Sequence, residues 1–381
     1  MVIAFWIIFS LILSIYIGYP FLLWVMGLFV KQTSKGSFSE ANCPTVALVI
    51  SAYNEEAVIR EKMKNSLGLD YPKDKLEIIV ASEANDGTNA IVKEFAQHGV
   101  KLFDFDTREG KAPTLQRVLP QLSADIIVFS DANAMYDAQA IKKLTRHFND
   151  AQVGCVSGQL KYLKEENNNI GESEGAYWKY ENGIKILESK LGSLLGANGS
   201  IFALRRELYL PIDYYRGDDF ELPIKILIEG YKVVMESEAL SFEKPSQKTK
   251  DEFKRKVRII SWNVVSACIL FKNALRKGRL KVVFQLFFHK ILRWFVGAFC
   301  IALLAVNIFL PGKFFFVFLL LQLFCYLLFF IALILDRTGR NVPKLMNIVY
   351  YFVLVNVASL MGLYKAIKLP QSATWDKART G

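Results

Sequence analysis

Apolar runs without a charged side chain stand at both ends of this chain and enclose a block of mixed character. Residues 2–30 carry no charge, and three further charge-free runs follow late in the sequence, at residues 294–312, 314–335 and 345–364. A helix of about 20 apolar residues crosses the hydrocarbon core of a bilayer. The pattern therefore predicts one N-terminal membrane anchor and about three C-terminal transmembrane helices.

Between these runs, short apolar stretches alternate with amphipathic ones. The β-branched, nearly continuous apolar stretches predict strands at residues 45–51, 76–81, 101–105, 126–130 and 153–158. Patterns with helical spacing lie between most of them, at residues 55–67, 88–97, 112–119 and 138–148. Strand and helix in alternation predict an α/β fold with a buried, mainly parallel sheet.

The alternation ends after the fifth predicted strand. Residues 171–190 have the aromatic and polar spacing of a long helix, a small-residue turn follows at residues 196–199, and a short strand is predicted at residues 200–204. Residues 254–258 then open a basic amphipathic stretch, which is typical of a helix that contacts lipid.

Basic residues next to the apolar runs predict how the chain lies in the membrane. Lys31 and Lys35 follow the first run, and six basic residues lie between residues 276 and 293, ahead of the second. Because cytoplasmic borders are enriched in Lys and Arg, both borders place the central block in the cytoplasm, at the inner membrane. The first run lacks the basic start and small-residue cleavage site of a signal peptide, so a retained anchor is expected.

The C-terminal tail conflicts with this arrangement. Four complete spans would send its basic residues, Lys365, Lys368, Lys377 and Arg379, to the opposite side of the membrane. Either one apolar run is re-entrant or interfacial, or the tail departs from the rule. The resulting division of the chain is an anchor at 1–30, a cytosolic domain at 31–250, amphipathic interfacial helices at 251–290, a transmembrane region at 291–368 and a tail at 369–381.

Composition removes several functional classes. The net charge of +11 lies largely at the membrane borders, where anionic lipid attracts it, so nucleic acid is not an expected partner. The five cysteines have neither metal nor disulfide spacing, which fits a reduced, cytosol-facing domain. Three widely separated histidines argue against a His-based metal site or a Ser-His-Asp triad, and the chain has no P-loop or dinucleotide fingerprint.

Acidic motifs supply the candidate chemistry. They lie at residues 85–88, 130–133 and 217–221, and the first two follow predicted strands. Ligands of open α/β sheets bind beyond the carboxyl ends of the strands. Asp131 and Asn133 there offer the oxygen ligands that magnesium shares with substrate phosphates. The pattern predicts an enzyme that acts on a phosphate-bearing substrate beside a bilayer.

Each acidic motif also has a structural explanation. Asn54 suits the N-cap of the helix that follows it, which is the favoured interpretation for that residue alone. Asp86 suits a turn, and either Asp218 or Asp219 suits the N-cap of the helical run after them. Two adjacent carboxylates exceed what capping needs, so one could hold structure while the other accepts a proton.

In their order along the chain, six segments resemble the membrane-bound family 2 glycosyltransferases, which have the nucleotide-sugar-binding GT-A fold and include polysaccharide synthase catalytic subunits. The segments are residues 46–56, 85–88, 110–112, 130–133, 217–220 and 255–258. The resemblance covers about residues 43–262, with similar flanking membrane segments. It implies a Rossmann-like GT-A domain with an N-terminal anchor and C-terminal transmembrane helices.

The resemblance implies a nucleotide-sugar site at the sheet edge. Tyr53, Glu55 and Asp86 would hold the nucleotide base and ribose, and Lys111 would lie near the nucleotide. Asp131 would face the diphosphate and its metal ion, as the first acid of the family's D-x-D motif.

The resemblance also implies catalytic and acceptor residues. Asp219 would be the general base, with Asp218 as the other member of the acidic pair. Arg258 falls at the arginine of the family's Q-x-x-R-W motif, near the diphosphate. Asn198 and Gly199 lie where the family presents an acceptor-side loop.

The chain departs from the family's pattern at several positions. Asn133 replaces the second acid of D-x-D, so metal ligation would rest mainly on Asp131. Arg255 stands where Gln is usual and Ile259 where Trp is usual, with Trp262 three residues on. That motif is associated with processive synthesis, which these replacements put in doubt.

The activity implied is an inverting glycosyl transfer from a nucleotide-sugar, a UDP-sugar above all, with Mg²⁺ or Mn²⁺. The acceptor would be lipid-linked or a growing surface glycan. Three alternatives stay open: a processive polysaccharide synthase, a sugar-1-phosphate nucleotidyltransferase and a non-catalytic sugar-nucleotide-binding membrane subunit. The second would carry a Gly-rich, Arg-containing loop after its first strand, where residues 53–56 here read Tyr-Asn-Glu-Glu.

Overall fold

The computed structural model covers most of the chain. It describes residues 1–30, 36–163, 170–212, 217–244 and 249–368, without the side chains of residues 170–178 and 249. Lys31 and Lys35, which entered the orientation prediction, lie outside the described residues, as do Lys377 and Arg379 of the predicted tail.

One mixed sheet forms the centre of the described domain. Its strands are β1 Val46–Ala52, β2 Leu76–Ser82, β3 Val100–Asp104, β4 Ile126–Asp131, β5 Met135–Tyr136, β6 Val153–Tyr162, β7 Ile201–Arg205 and β8 Lys232–Glu243. Their order across the sheet is β3-β2-β1-β4-β7-β6-β8-β5. The first four strands in that order are parallel, in the Rossmann-like manner, whereas β7 is antiparallel to both of its neighbours.

Helices cover both faces of this sheet. All the α-helices of the described residues, including the apolar ones that flank the domain, are in chain order α1 Val2–Leu13, α2 Tyr19–Leu28, α3 Glu56–Leu67, α4 Thr88–Lys93, α5 Lys111–Val118, α6 Ala140–Thr145, α7 Ile170–Lys190, α8 Asp218–Glu229, α9 Thr249–Arg276, α10 Leu280–Gln285, α11 Leu292–Trp294, α12 Val296–Asn307, α13 Lys313–Arg337 and α14 Lys344–Lys368. Strand side chains alternate between faces, so Ala47 and Val49 of β1 join the core with α5 and α8. Leu48 and Ile50 join the core with α3 and α6.

The far half of the sheet differs from the prediction. Three strand pairs, β4–β7, β6–β7 and β5–β8, are antiparallel, whereas β6–β8 and the pairs of the first half are parallel, so the sheet is mixed rather than uniformly parallel. The sequence pattern missed β8 because Glu236, Glu238 and Glu243 interrupt its apolar residues. Glu236 is fully buried and pairs with Arg146 and His147, each at 2.7 Å. The sequence pattern alone cannot distinguish a buried acid that is paired in this way from an acid that is exposed to solvent.

Within the described ranges, three helices are long and apolar enough to span a membrane: Val2–Leu28, Lys313–Arg337 and Lys344–Lys368. A fourth candidate is the pair Leu280–Trp294 and Val296–Asn307, which is bent by 59°. The apolar run predicted at residues 294–312 is therefore not one straight spanning helix. A bend of this kind is what a broken span or a re-entrant segment would show. The five-part division of the chain stays a prediction.

Helix α9, which carries the basic stretch, lies along the candidate membrane helix α14. The two backbones approach closely at Gly362, where a Cβ would come within 2.7 Å of the Ile260 side chain. The ammonium of Lys256 lies 5.4 Å from the centre of the Tyr351 ring. The end of the globular domain is thus seated on an apolar helix.

Candidate active site

The turn after β1 is held to the turn after β2. Asn54 has φ 53°, a left-handed conformation that Asn tolerates, and its Oδ1 accepts a hydrogen bond from Asn85 N at 2.9 Å. Helix α3 has Glu55 as its N-cap and no side-chain cap. The interpretation of Asn54 as a helix cap is therefore wrong, because its side chain joins two strand ends.

Glu55 and Asp86, two predicted nucleotide contacts, lie in this joined turn. Glu55 N donates to Thr88 Oγ1 at 2.8 Å, and Asp86 Oδ1 accepts from Thr88 N at 2.9 Å. Glu56 Oε2 accepts from Gly87 N at 3.1 Å, which fixes the turn further. Asp86 is exposed and Glu55 half-buried, so a ligand can reach both residues.

Tyr53, the third predicted nucleotide contact, packs against the loop before α5. The Arg108 guanidinium lies 4.0 Å from the centre of the Tyr53 ring, within the range of a cation–π contact. Tyr53 is half-buried and Arg108 exposed. This contact joins the end of β1 to the segment that leads into Lys111.

Sequence reasoning missed Glu83, a buried acid that builds the same loop. Its carboxylate accepts hydrogen bonds from Glu109 N at 3.0 Å, Gly110 N at 2.8 Å and Thr114 Oγ1 at 2.6 Å. Gly110 has φ 103°, which favours glycine at this turn. The available signal was an acid immediately beyond a predicted buried strand, where solvation alone does not explain it.

Lys111, the first residue of α5, lies between two carboxylates. Its Nζ is 3.0 Å from Asp131 Oδ1 and 3.1 Å from Asp218 Oδ2. Burial alone would lower the pKa of this ammonium, but the two carboxylates outweigh burial and raise the pKa above its usual value. Lys111 is therefore a fixed positive charge that joins the end of β4 to the start of α8.

Asp219 lies next to this ion pair with its carboxylate against glycines. A Cβ at Gly199 would be 3.0 Å from its Oδ2, and one at Gly217 would be 2.9 Å from its Oδ1. Burial and the adjacent Asp218 charge raise the pKa of Asp219 to about 6. The N-cap of α8 is Gly217, so the interpretation of Asp218 or Asp219 as the N-cap is wrong. A carboxylate tuned toward neutral pH suits proton acceptance.

A proline in α8 leaves the backbone carbonyl of Asp219 open. In a helix this oxygen would accept from the N–H four residues on, but that residue is Pro223, which has no N–H. Ala197 N donates to the oxygen instead, at 2.7 Å. The small-residue turn at residues 196–199 is thereby attached to the acidic pair.

The two predicted amide side chains have partners within the protein. Asn198 Oδ1 accepts from Ser200 Oγ at 3.0 Å, and Asn133 Nδ2 donates to Glu243 Oε2 at 3.5 Å. Among the residues that the structure describes, no group of three His, Cys, Asp or Glu side chains is arranged to hold a metal ion. Asp131, whose side chain is 41% exposed, is the accessible carboxylate of the predicted metal pair.

Helix α9 carries Arg258 past the start of α8. Ser266 Oγ donates to Glu221 at 3.1 Å, and Asn263 Oδ1 lies 3.7 Å from the position of a Cβ on Gly217. Arg258 precedes Asn263 by five residues, about 7.5 Å further along the helix in the same direction. Five residues also turn the helix by about 500°, so Arg258 lies on a different face of α9 from Asn263.

Trp262 supplies the aromatic contact that Ile259 lacks. The Arg258 guanidinium lies 5.4 Å from the centre of the Trp262 ring, one helical turn on. Burial and the neighbouring Arg255 charge lower the pKa of Arg258 to about 10. The arginine and tryptophan of the predicted motif are thus both present, at a changed spacing.

With this geometry in view, a family model described as glycosyl transferase family 2 matches residues 47–210. This part of the chain, somewhat under half of it, is thus similar to the family 2 glycosyltransferases. The match begins in β1 and ends just after β7, so it contains the predicted nucleotide-sugar residues and the 196–199 turn. The acidic pair of α8 follows shortly after its end.

Curated relatives agree with this assignment. The probable glycosyltransferase YdaM of Bacillus subtilis is 25% identical over 309 residues, which cover 70% of each chain. The poly-β-1,6-N-acetyl-D-glucosamine synthase of Staphylococcus epidermidis is 23% identical over 202 residues, covering 51% of this chain and 48% of the synthase. The chain thus spans about half the length of that synthase.

A solved structure confirms the predicted fold. The mannosyltransferase PcManGT from Pyrobaculum calidifontis, in complex with GDP-Man and Mn²⁺, superimposes with a TM-score of 0.72. The superposition covers 96% of this chain and 99% of that one, at 20% identity. The glycosyltransferase domain therefore has the mixed α/β GT-A sheet with a Rossmann-like core, and apolar helices flank it.

Within the family 2 domain and α8, the structure gathers some predicted site residues more closely than others. Lys111, Asp131 and Asp218 form one ion-paired cluster, and Asp219 adjoins it. Tyr53 and its neighbours line the adjacent strand ends. Their individual roles stay predictions.

Proposed function

We propose that this protein is an inverting glycosyltransferase that moves a sugar from a nucleotide-sugar to an acceptor at the membrane face of the domain. The observation that carries the proposal is the cluster in which Lys111 joins Asp131 to Asp218 beside Asp219. The family 2 domain supports the reaction class. A UDP-sugar is the donor that the sequence resemblance favours.

Asp219 serves as the base in this proposal. The acceptor hydroxyl attacks the anomeric carbon from the face opposite the nucleotide, and its proton passes to the Asp219 carboxylate. The bond between the anomeric carbon and the diphosphate oxygen breaks, and its electron pair leaves with the nucleoside diphosphate. One displacement inverts the anomeric centre. With a pKa of about 6, Asp219 is ionised at neutral pH and remains a stronger base than an ordinary aspartate.

The residues at the sheet edge fit a divalent cation. Asp131 would hold it, with Asn133 beside it, and the donor diphosphate would supply further oxygens, as is usual for Mg²⁺. Two carboxylates there, those of Asp131 and Asp218, share the ammonium of Lys111, and the Asp219 carboxylate adjoins them. Bound Mg²⁺ or Mn²⁺ would neutralise charge on the departing diphosphate. Lys111 and Arg258 would add fixed positive charge to the same end.

The proposed acceptor is lipid-linked or a growing glycan, delivered beside the bilayer. Helix α9 packs along the candidate span α14, which supports a position of the domain beside the membrane. Cytoplasmic orientation at the inner membrane belongs to the same proposal and rests on the basic residues that border the apolar runs. Membrane lipid is therefore expected both as solvent and as a source of acceptor.

The test is nucleotide release by the full-length protein in lipid nanodiscs. The donor panel contains UDP-sugars and GDP-mannose, each with Mg²⁺, Mn²⁺ or a chelator, with and without a membrane lipid extract. We expect metal-dependent release from one donor, stimulated by the extract and lost in Asp219→Asn. Nucleotide binding without release from any donor, with or without extract, would contradict the proposal and favour a non-catalytic binding subunit.

A processive polysaccharide synthase is the second candidate, because the Staphylococcus relative bears that name and Trp262 restores the aromatic contact to Arg258. Product sizing separates the two activities. Short products that accumulate evenly with time indicate single transfers. Long chains that appear while most acceptor is still unmodified indicate a processive enzyme.

A further inference from the structure

A buried carboxylate, Glu188 of α7, lies where three parts of the molecule meet. Its Oε1 accepts a hydrogen bond from Tyr19 OH at 2.5 Å and lies 2.7 Å from His289 Nδ1. Its Oε2 accepts from Leu195 N at 3.1 Å. One fully buried side chain therefore joins the N-terminal candidate span, the bent helix pair and the segment that leads into the 196–199 turn.

Further contacts hold the same elements together. Arg293 Nη1 is 2.7 Å from Glu181 Oε1, and His289 Nε2 is 3.4 Å from the other oxygen of that carboxylate. Gln285 Nε2 donates to the carbonyl of Ser193 at 3.2 Å. The bent pair is thus attached both to α7 and to the chain just before Leu195.

The path from Glu188 to the proposed base is short. Leu195, which Glu188 binds through its N–H, lies two residues before Ala197, whose N–H binds the Asp219 carbonyl at 2.7 Å. Two residues further on, Gly199 lies against the Asp219 carboxylate. A shift of the turn would therefore move both the acceptor side of the site and the surroundings of the base.

We propose that Glu188 is a positioning residue for sugar transfer. It holds the acceptor-side turn, and through that turn Asp219, in a fixed position relative to the membrane helices. The inference rests on the proposed function, because it uses Asp219 as the base.

Packing alone does not account for an acid at this position. Buried ion pairs are weak evidence for stability, and apolar side chains of similar volume often replace them without loss. An apolar side chain at residue 188 would fill the space but leave Leu195 N without its buried acceptor. The carboxylate of Glu188 therefore fixes the backbone that leads into the turn, in addition to its ion pair.

The first test measures amide hydrogen exchange of the full-length protein in nanodiscs. Glu188→Gln keeps the side-chain shape, and Tyr19→Phe removes only the hydroxyl that binds Glu188. Tyr180→Phe is the matched control, because it removes a hydroxyl bond to Tyr16 O at the same α7 interface, 2.9 Å long, without touching the turn. We expect exchange over residues 193–199 to rise about tenfold in Glu188→Gln and about threefold in Tyr19→Phe. Equal exchange in all three variants would overturn the proposal.

The second test uses the donor and extract that the wild-type protein turns over. We expect kcat to fall about tenfold in Glu188→Gln and about threefold in Tyr19→Phe, with the donor KM unchanged within twofold. The combined variant should fall no further than Glu188→Gln alone, since both changes act through one contact. Rates equal to those of Tyr180→Phe would overturn the proposal. A wild-type protein that releases no nucleotide would instead refute the proposed function, while exchange still decides whether Glu188 holds the turn.

Discussion

Two charged clusters among the described residues are built in different ways. At the sheet edge, Asp131 and Asp218 share the ammonium of Lys111, Asp219 adjoins them, and Asp131 is 41% exposed. On the membrane side, Glu181 and Glu188 contact Arg293 and His289, and both oxygens of each carboxylate have a partner. We call the first cluster uncompensated, because its carboxylates outnumber the ammonium that ion-pairs with them, and the second compensated, because every carboxylate oxygen is paired. Carboxylates that are accessible and not fully paired can bind a cationic ligand. Carboxylates that are fully paired hold together the helices on which they and their partners lie.

The largest expected effect is the loss of the base. Asp219→Asn should lower transfer by roughly two to four decades while nucleotide affinity stays within twofold, because only the proton acceptor is removed. Initial rates and nucleotide titration check the two quantities. Glu229→Gln, an acid-to-amide change at the exposed end of the same helix, is the control. An Asp219→Asn protein that is still active would show that Asp219 is not the proton acceptor.

Loss of Asp131 should come next. Asp131→Ala removes the accessible carboxylate and should lower kcat/KM by about two decades, since the proposed metal ion would lose its main protein ligand. Asp137→Ala is the control, because Asp137 lies close by in the chain but pairs with Lys143. Calorimetric titration of Mn²⁺ with nucleotide measures the binding. Unchanged metal affinity would mean that Asp131 does not hold the metal ion.

The compensated cluster should respond in stability. Arg293→Met removes the 2.7 Å ion pair of the mostly enclosed Glu181 carboxylate and should cost about 3 kcal/mol of unfolding free energy. Lys277→Met breaks an exposed pair with Glu229 and should cost less than 1 kcal/mol. Denaturant titration in nanodiscs compares them. Similar losses in both would show that the membrane-side cluster is no more than a surface pair.

The pH dependence of kcat should reveal how the Asp218 charge affects Asp219. Asp219 must be ionised to accept a proton, so kcat should rise with pH and level off above its pKa of about 6. Asp218→Asn removes the like charge that raises this pKa, second to burial, so the rise should move to lower pH by about one unit. A pH–rate profile at saturating donor measures the shift. An unchanged pH–rate profile would show that the Asp218 charge does not affect the ionisation of Asp219 during transfer.

The smallest expected effect concerns Trp262. Its contact with Arg258 is worth about 0.5–1 kcal/mol, so Trp262→Leu should lower kcat/KM about two- to fivefold. Trp24→Leu, on the exposed face of α2, is the control. Steady-state rates with varied donor distinguish the two. A loss of several decades would place the tryptophan in the reaction itself.

The uncompensated cluster was predictable from the sequence to a large extent, and the compensated one was not. Strands β1, β2 and β4 are continuous apolar runs, so the residues that follow them could be placed at one sheet edge in advance. Asp131 was identified in this way, whereas Lys111 was assigned to the site by the family resemblance. Their contact was not predicted, because Lys111 follows β3, and two strands separate β3 from β4 in the sheet.

The remaining features depend on contacts between distant residues. Glu188 and His289 are 101 residues apart, and neither has a local pattern that marks its partner. Strand β8 was missed because the partners of Glu236 lie on another element. The capping interpretations failed for a related reason: Asn54 binds Asn85, 31 residues away, rather than its own helix. Local propensity predicts the contacts of a residue only where those contacts are more favourable than contacts with residues far away in the sequence.

Pro223 has a consequence for engineering. A proline inside a helix is an obvious target in a thermostability screen, since alanine restores the missing N–H and favours the helix. Here the restored N–H would compete with Ala197 for the Asp219 carbonyl. A Pro223→Ala protein could therefore melt at a higher temperature while losing hold of its acceptor-side turn. Selection on heat resistance alone would favour such a variant and miss its damaged catalysis.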